Sequence, residues 1–328
     1  MPEAPAERRR PVGVSHRPEV SVIVPTNVDG AYLREAVASV VAQTYEDWEV
    51  VVVVNGCSGD FTDVNGDPRV RVIAEPVSGA SRARNIGAFR SAGEFIAFLD
   101  HDDLCFPERL ARQVEALQGD PDAGMSFSRF RVIDEAGRES GGDYGREAQY
   151  VDLLRARFAV LMSTVMVRRS VFDAAGGFDP VLTTGEDLDF ILRVAQVSRL
   201  VFVPEPLVCY RRHGGNASGD PWTSQWDIDP ILRKHRRWAR RQGRRDLEEA
   251  ATEGLRFNRY TNARSAYDAA RFARKEGAYR EVLRSAAHSL AIDPRVGPAD
   301  VVRYVRRHAG VRRSGDADSA PTAGGDPG

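Results

Sequence analysis

Asp100, Asp102 and Asp103 follow directly on an apolar run, Phe95-Ile96-Ala97-Phe98-Leu99, so that three carboxylates stand where a hydrophobic stretch stops. The run is short, bounded by Gly93, and rich in aromatic and branched residues, which predicts a strand buried on both faces. Continued by one step, strand alternation puts Asp100 and Asp102 on one side and His101 on the other. Two hard oxygen ligands beyond the carboxyl end of a strand suit a divalent cation, Mg²⁺ or Mn²⁺, bridging a diphosphate. The bland alternative is a solvated acidic turn. Arg84 offers a guanidinium that pairs bidentately with phosphate, and with Asn85 it is a candidate either for diphosphate contact or for bracing the loops. Glu186-Asp187 opens a second candidate region, although acids in a first helical turn are also favoured by the helix dipole.

Alternating elements must position these groups. Val20 to Pro25 reads as a first buried strand, stopped by a proline that cannot continue a ladder. Apolar residues at Leu33, Ala36, Val37, Val40 and Val41 give a helix over 31–43, and Trp48 to Val54 is a second, valine-rich strand. Strand, helix, strand at this spacing is a right-handed unit of a parallel sheet. A third strand at 70–74, a helix at 82–92 capped by serines and stopped by Gly93, and a helix from Glu108 to Leu117 follow. Beyond them, 124–133 and 158–167 have strand character, and 134–150 reads as a loop on the acceptor side. A helix enters at 186, and two short strands are expected at 200–203 and 208–210.

Ser81-x-x-Arg84-Asn85-x-Gly87, then Gly93-Glu-Phe-Ile-Ala-Phe-Leu-Asp-His-Asp-Asp103, then Pro107-Glu108-x-Leu110 together resemble the family 2 inverting glycosyltransferases of the GT-A fold. The opening Val20-Ser-Val-Ile-Val-Pro25-Thr26 and Ala42-Gln43-Thr44-Tyr45 are similar to the same family, and the likeness runs from about residue 20 to 215. The resemblance implies an α/β fold: a GT-A type, Rossmann-like, mostly parallel sheet flanked by helices. It implies a nucleotide-sugar donor, contacted by Pro25, Thr26, Asn55, Gly56, Ser58, Arg84, Asn85 and Asp100. A divalent metal would lie at Asp100 and Asp102, and His213 stands where some members place a histidine that helps hold metal or diphosphate. The acceptor would be a hydroxyl of a glycan or a lipid-linked precursor. Of the acidic pair Glu186-Asp187, the resemblance designates Asp187 as the general base. One departure is marked: the family usually carries two adjacent acids after the second strand, and this chain has Asn55-Gly56, which puts base selectivity in doubt. A nucleotidyltransferase on a related sheet is the rival enzyme reading, weakened by the absence of a glycine-rich basic loop after the first strand. A degenerate member that only binds nucleotide or partners is the non-enzymatic rival.

Composition narrows the rest. A net charge of -1 gives no electrostatic argument for nucleic acid. Three scattered cysteines, Cys57, Cys105 and Cys209, argue against a disulfide framework or zinc cluster and fit a reducing cytosol. No run approaches the ~18 apolar residues of a membrane span. Expected boundaries are a disordered lead over 1–18, a transferase domain over 19–228 (donor part to about 104, acceptor part beyond), a helical appendage over 229–311 and a disordered tail over 312–328. Trp222 and Trp226 are candidates for stacking on a sugar, or for packing. Within 231–260, ten Lys and Arg face four Asp and Glu, which allows weak electrostatic contact with anionic lipid at the inner face of a membrane.

Overall fold

The computed structural model describes residues 17–275 apart from 58, 60, 62, 63, 65, 158, 159 and 217–227. Ser58, Trp222, Trp226 and the part of the expected helical appendage beyond 275 lie outside the described residues. The elements in chain order are β1 (Val20–Thr26), α1 (Ala31–Val41), β2 (Trp48–Asn55), β3 (Val70–Glu75), α2 (Ala80–Arg90), β4 (Phe95–Phe98), β5 (Leu104–Cys105), α3 (Arg109–Gly119), β6 (Ala123–Ile133), β7 (Glu139–Tyr144), α4 (Tyr150–Leu154), β8 (Met166–Arg168), α5 (Arg169–Ala175), α6 (Glu186–Val197), β9 (Arg199–Arg211), α7 (Ile228–Arg241) and α8 (Arg245–Lys275). Two compact units divide the chain, Met1–Asn258 and Arg259–Gly328, and the sheet lies wholly in the first.

The strands form a single mixed sheet in the order β3-β2-β1-β4-β8-β6-β9-β5, with β7 paired to β6. Its first four strands are parallel, Val22 lying between Val50 and Ala97. β8 enters antiparallel and joins this half to the β6-β9 half. The near-continuous valines of β2 are buried on both sides of the sheet, as a parallel strand under helices requires. One face carries Ile23, Val51, Val53 and Phe98 beneath the aromatic side chains Phe172, Phe178 and Phe190. The other carries Val22, Val24 and Val52 beneath Leu33 and Val37 of α1 and Leu110 and Val114 of α3. Phe178 and Phe190 stack with centroids 4.2 Å apart, and Phe98 meets Phe178 edge-on at 5.3 Å. This aromatic cluster anchors α6, and at ~1.5–3 kcal/mol per buried side chain it is a large part of what holds that helix to the sheet.

Several local expectations are corrected. β1 runs through Pro25 to Thr26, because β4 pairs only with Val20–Ile23 and so asks no N–H of Pro25. The stretch 134–150 contains β7, an exposed hairpin strand on β6. Among the described residues of the segment expected at 158–167, only Met166 and Val167 are strand, the start of β8; a 3-10 turn at Met162–Thr164 precedes them. The two short strands near 200–210 are one strand, β9, whose register on β6 shifts between Val203 and Pro206. Proline is admitted there because the irregularity removes the ladder bond its missing N–H would have made. α7 and the start of α8 pack their apolar faces, Ile231, Leu232, Ala239, Leu247 and Ala251, into the same core as α6.

Candidate active site

Helix α2 supplies the cation at the centre of the site. Ser81, Ala83, Gly87 and Ala88 form its buried face, and a Cβ at Gly87 would run into the Ile23 side chain, so only glycine lets the helix lie this close to β1. Arg84, one turn earlier, is thereby held at the carboxyl end of the sheet with 4% of its side chain exposed. Its Nη1 donates to Asp187 Oδ1 at 2.7 Å and to Glu186 Oε1 at 3.2 Å, and its Nη2 donates to Asp100 Oδ1 at 2.9 Å. Burial alone would push the guanidinium down, but Asp187, Asp100 and Glu186 together hold it well above its ordinary value. A single cation among three carboxylates leaves an excess of negative charge, which a bound cation or a shared proton would relieve. Burial pushes Asp187 above the usual carboxylate range, Arg84 pulls it back, and Glu186 and Asp100 raise it further. Asp187 nonetheless keeps 36% of its side chain open to solvent, against 16% for Glu186, so it is the acid of the pair that an incoming molecule can touch.

Asp100 and Asp102 do not share a face as strand alternation would have it. The chain leaves the strand at Phe98, and Asp103 N–H donates to Asp100 O at 3.1 Å, closing a turn. Asp100 is turned to Arg84, whereas Asp102 Oδ2 meets His213 Nε2 at 2.9 Å and Asn216 Nδ2 at 3.3 Å. Gly215 N–H donates to His213 Nδ1 at 3.1 Å, which assigns the ring proton to Nε2, donating to Asp102. Among the described residues no three His, Cys, Asp or Glu side chains converge on a point. A carboxylate oxygen and an imidazole nitrogen at 2.9 Å are nevertheless a donor set that fits a divalent cation, provided the ring proton moves to Nδ1, which frees Nε2 and gives up the Gly215 contact.

The third aspartate belongs to a different structure. Asp103 is fully buried; Ser163 Oγ donates to its Oδ2 at 2.5 Å and Arg211 N–H to its Oδ1 at 3.0 Å. Burial pushes its carboxyl well above the ordinary range, Asp100 and Asp102 add to the shift, and the two donors oppose it. Ser163 Oγ in turn accepts from Asp100 N–H at 3.0 Å. Arg211, 2% exposed, donates to Asp102 O at 3.0 Å, Glu135 O at 3.0 Å and Glu35 Oε2 at 2.6 Å, and its guanidinium lies 4.4 Å from the Tyr32 ring centroid. Sequence reasoning passed over Asp103, Ser163 and Arg211. The available signal was a third acid adjoining Asp-x-Asp; nothing local distinguishes Arg211 from Arg212.

At the first two strand ends, Asn55 is 5% exposed and its amide is spent on the backbone: Nδ2 donates to Thr26 O at 2.9 Å and Oδ1 accepts from Gly79 N–H at 2.9 Å. Thr26 Oγ1 donates to Val28 O at 2.7 Å and accepts from Val28 N–H at 3.1 Å. Pro25 is buried in β1 opposite Val53. Asn85 holds both backbone groups of Phe178, donating to its O and accepting from its N–H at 2.8 Å each. The side chains of Asn55 and Asn85 thus tie separate segments together, while that of Thr26 closes its own turn. Gly56 adopts φ +70°, and a Cβ there would lie 2.6 Å from Ser78 Cβ. The acid that the family places here is excluded by this backbone.

Residues 21–174 match the family model described as glycosyl transferase family 2. The segment belongs to that family. An uncharacterized glycosyltransferase of Rickettsia felis is 27% identical over 215 residues, covering 61% of this chain and 35% of its own length. The chain thus spans about a third of that relative. Among solved structures, S. aureus TarS 1-349 in complex with UDP-GlcNAc superimposes with TM-score 0.56 at 16% identity, covering 82% of this chain and 90% of that one. The mannosyltransferase PcManGT of Pyrobaculum calidifontis, in complex with GDP-Man and Mn²⁺, gives TM-score 0.56 at 17% identity, covering 90% and 80%. These two share the fold. Within the family 2 segment lie Arg84, Asp100 and Asp102; Glu186, Asp187 and His213 follow it in sequence and meet it in space.

Proposed function

We propose that the chain is an inverting glycosyltransferase that moves a sugar from a nucleoside-diphosphate sugar to a hydroxyl of a glycan or lipid-linked acceptor. The observation that carries this reading is the meeting of Asp100, Glu186 and Asp187 on the single guanidinium of Arg84, at the strand ends where open α/β sheets bind ligands. An inverting displacement needs one carboxylate opposite the leaving diphosphate to take the acceptor proton. Asp187 suits that task. It is open to solvent, and its raised proton affinity brings it nearer the working pH of a general base. Arg84 orients it and Asp100 from a buried position.

A divalent cation would be held by Asp102 and His213, and when bound it would neutralise charge on the departing diphosphate. PcManGT in complex with Mn²⁺ supports that reading, as TarS in complex with UDP-GlcNAc and PcManGT with GDP-Man support a nucleotide-sugar donor. Asn55-Gly56 bears on the base: the acid that would help choose uracil at this position is replaced by a glycine that the turn requires. No helix among the described residues is long and apolar enough to cross a membrane. The exposed arginines of α7, Arg233, Arg237, Arg240 and Arg241, support electrostatic contact with an anionic membrane surface. The test is a panel of nucleotide sugars with Mg²⁺ or Mn²⁺ and cell-extract acceptors, scored by nucleoside diphosphate release. Acceptor-dependent release from at least one donor is expected, and release from none would favour the degenerate, binding-only reading.

A further inference from the structure

The base at Asp187 has to be aimed, and Gly185, the residue that caps α6, brings no side chain to do it. Two residues on, Asp189 is 1% exposed and points the other way, away from the site. Lys234 Nζ on α7 donates to its Oδ1 at 2.7 Å and Arg193 Nε donates to its Oδ2 at 2.8 Å. Burial alone would raise this carboxyl, yet the neighbouring His235, Lys234 and Arg193 outweigh it and hold the group below the usual range.

Arg193 continues the chain of contacts. Its Nη1 donates to Gly177 O at 2.5 Å and also to Ala175 O, gripping the turn between α5 and Phe178. Phe178 is the residue whose two backbone groups are held by Asn85, and Asn85 is the neighbour of Arg84 in α2. A closed ring results, running from Arg84 to Asp187, along α6 to Asp189, through Arg193 to the 176–178 turn, and through Asn85 back to α2. From the far side Lys234 is tied to this ring at Asp189. Beside it, Tyr150 Oη and Gln196 Nε2 each lie 3.0 Å from His235 Nδ1, fixing the same stretch of α7 against α4 and α6.

We propose that Lys234 is a positioning residue for the base: through Asp189 it fixes the roll and advance of the first turn of α6, so that Asp187 stays on Arg84 and faces the acceptor. This rests on the reading of Asp187 as the base. α7 is on this account part of the catalytic unit. Without Lys234, Asp189 is left buried beside one cation, Arg193, instead of two, with His235 Nε2 at 3.9 Å from its Oδ1. A misplacement of about 1 Å at a reacting group costs on the order of 100-fold in rate, so a partial loosening is expected to read as about tenfold.

The test compares Lys234→Met and Lys234→Arg in the full chain. Lys234 is half-exposed, so methionine preserves the packing of its stem while removing the charge. Expected for Lys234→Met is a kcat about tenfold lower with donor KM unchanged, and most of the loss recovered by arginine. In the ligand-free protein, hydrogen exchange should quicken at the Asp189 amide, which donates to Gly185 O at 3.0 Å, and through the next turn, with β1 and β2 unchanged. Wild-type kcat together with wild-type exchange at 189–192 would overturn the proposal. So would a loss spread equally over kcat and donor KM, with a lowered melting temperature that arginine does not restore, since that marks a merely structural residue. If Asp187→Asn itself turns over normally, the base reading has failed, while the exchange result still judges the tether.

Discussion

Two arginines organise this end of the molecule, and they differ in what surrounds them. Arg84 and Arg211 are both buried, and each gathers oxygen ligands from segments far apart in sequence. Around Arg84 the partners are three carboxylates, two of which, Asp100 and Asp187, remain 30% and 36% exposed. Around Arg211 most partners are backbone oxygens, and the adjoining Asp103 is sealed from water. The first arrangement has excess negative charge facing solvent, where a substrate or cation can relieve it; the second is satisfied already. One four-residue segment, Asp100 to Asp103, feeds both. Asp100 turns to the working cluster, Asp103 to the brace, and Asp102 lies between, its backbone on Arg211 and its carboxylate on His213.

That contrast can be broken from either side. Apart from loss of the base itself, the largest effect is expected from Asp102→Asn, which keeps the shape of the turn and removes the charge a cation would use. Metal-dependent donor affinity, read by calorimetric titration with Mn²⁺, should fall by about tenfold or more, with the melting temperature unchanged; unchanged affinity would remove Asp102 from the metal site. Asp103→Ala should do the reverse. It strands the Arg211 amide and the Ser163 hydroxyl, at a cost of about 1–3 kcal/mol in denaturant unfolding, and leaves donor affinity near wild type. Asp103→Asn should cost much less, because burial already favours an uncharged group at this position. If the alanine variant loses donor binding without losing stability, Asp103 belongs to the site and the division is wrong.

A subtler effect is expected from Arg84→Met. Arg84 lowers the proton affinity of Asp187, so removing it favours the protonated acid. A general base must be deprotonated, so the acid limb of the kcat profile should move to higher pH, with activity recovered on the alkaline side. An unmoved limb would mean that the titrating group is not next to Arg84. The smallest effect concerns Gly56: several nucleoside diphosphates should compete comparably with the donor, and sharp selection of uridine would show that another group reads the base.

The parallel half of the sheet was legible because its strands are valine runs whose ends are marked by polar residues, and Asp100, Asp102, Glu186 and Asp187 stood out as acids at those ends. What could not be read was which way each acid turns. Alternation failed past Phe98 because the chain leaves the strand there, and the partner that draws Asp103 inward, Arg211, is 108 residues away in the chain. Asn55 and Asn85 were legible as polar groups near the strand ends, but their hydrogen bonds close on backbone atoms of segments far along the chain, which no local pattern reveals. β7 escaped because Gly141-Gly142 has little strand propensity, and β9 looked divided because its prolines fall at a register shift.

The most direct test of the central claim sets Asp187→Asn beside Glu186→Gln. Turnover at saturating donor and donor affinity by calorimetry are measured for both. The account predicts that Asp187→Asn loses about 10²–10⁴-fold in turnover while binding donor as the wild type does, and that Glu186→Gln, the more enclosed acid, keeps most of its rate. Loss of turnover in Glu186→Gln with retention in Asp187→Asn would contradict it.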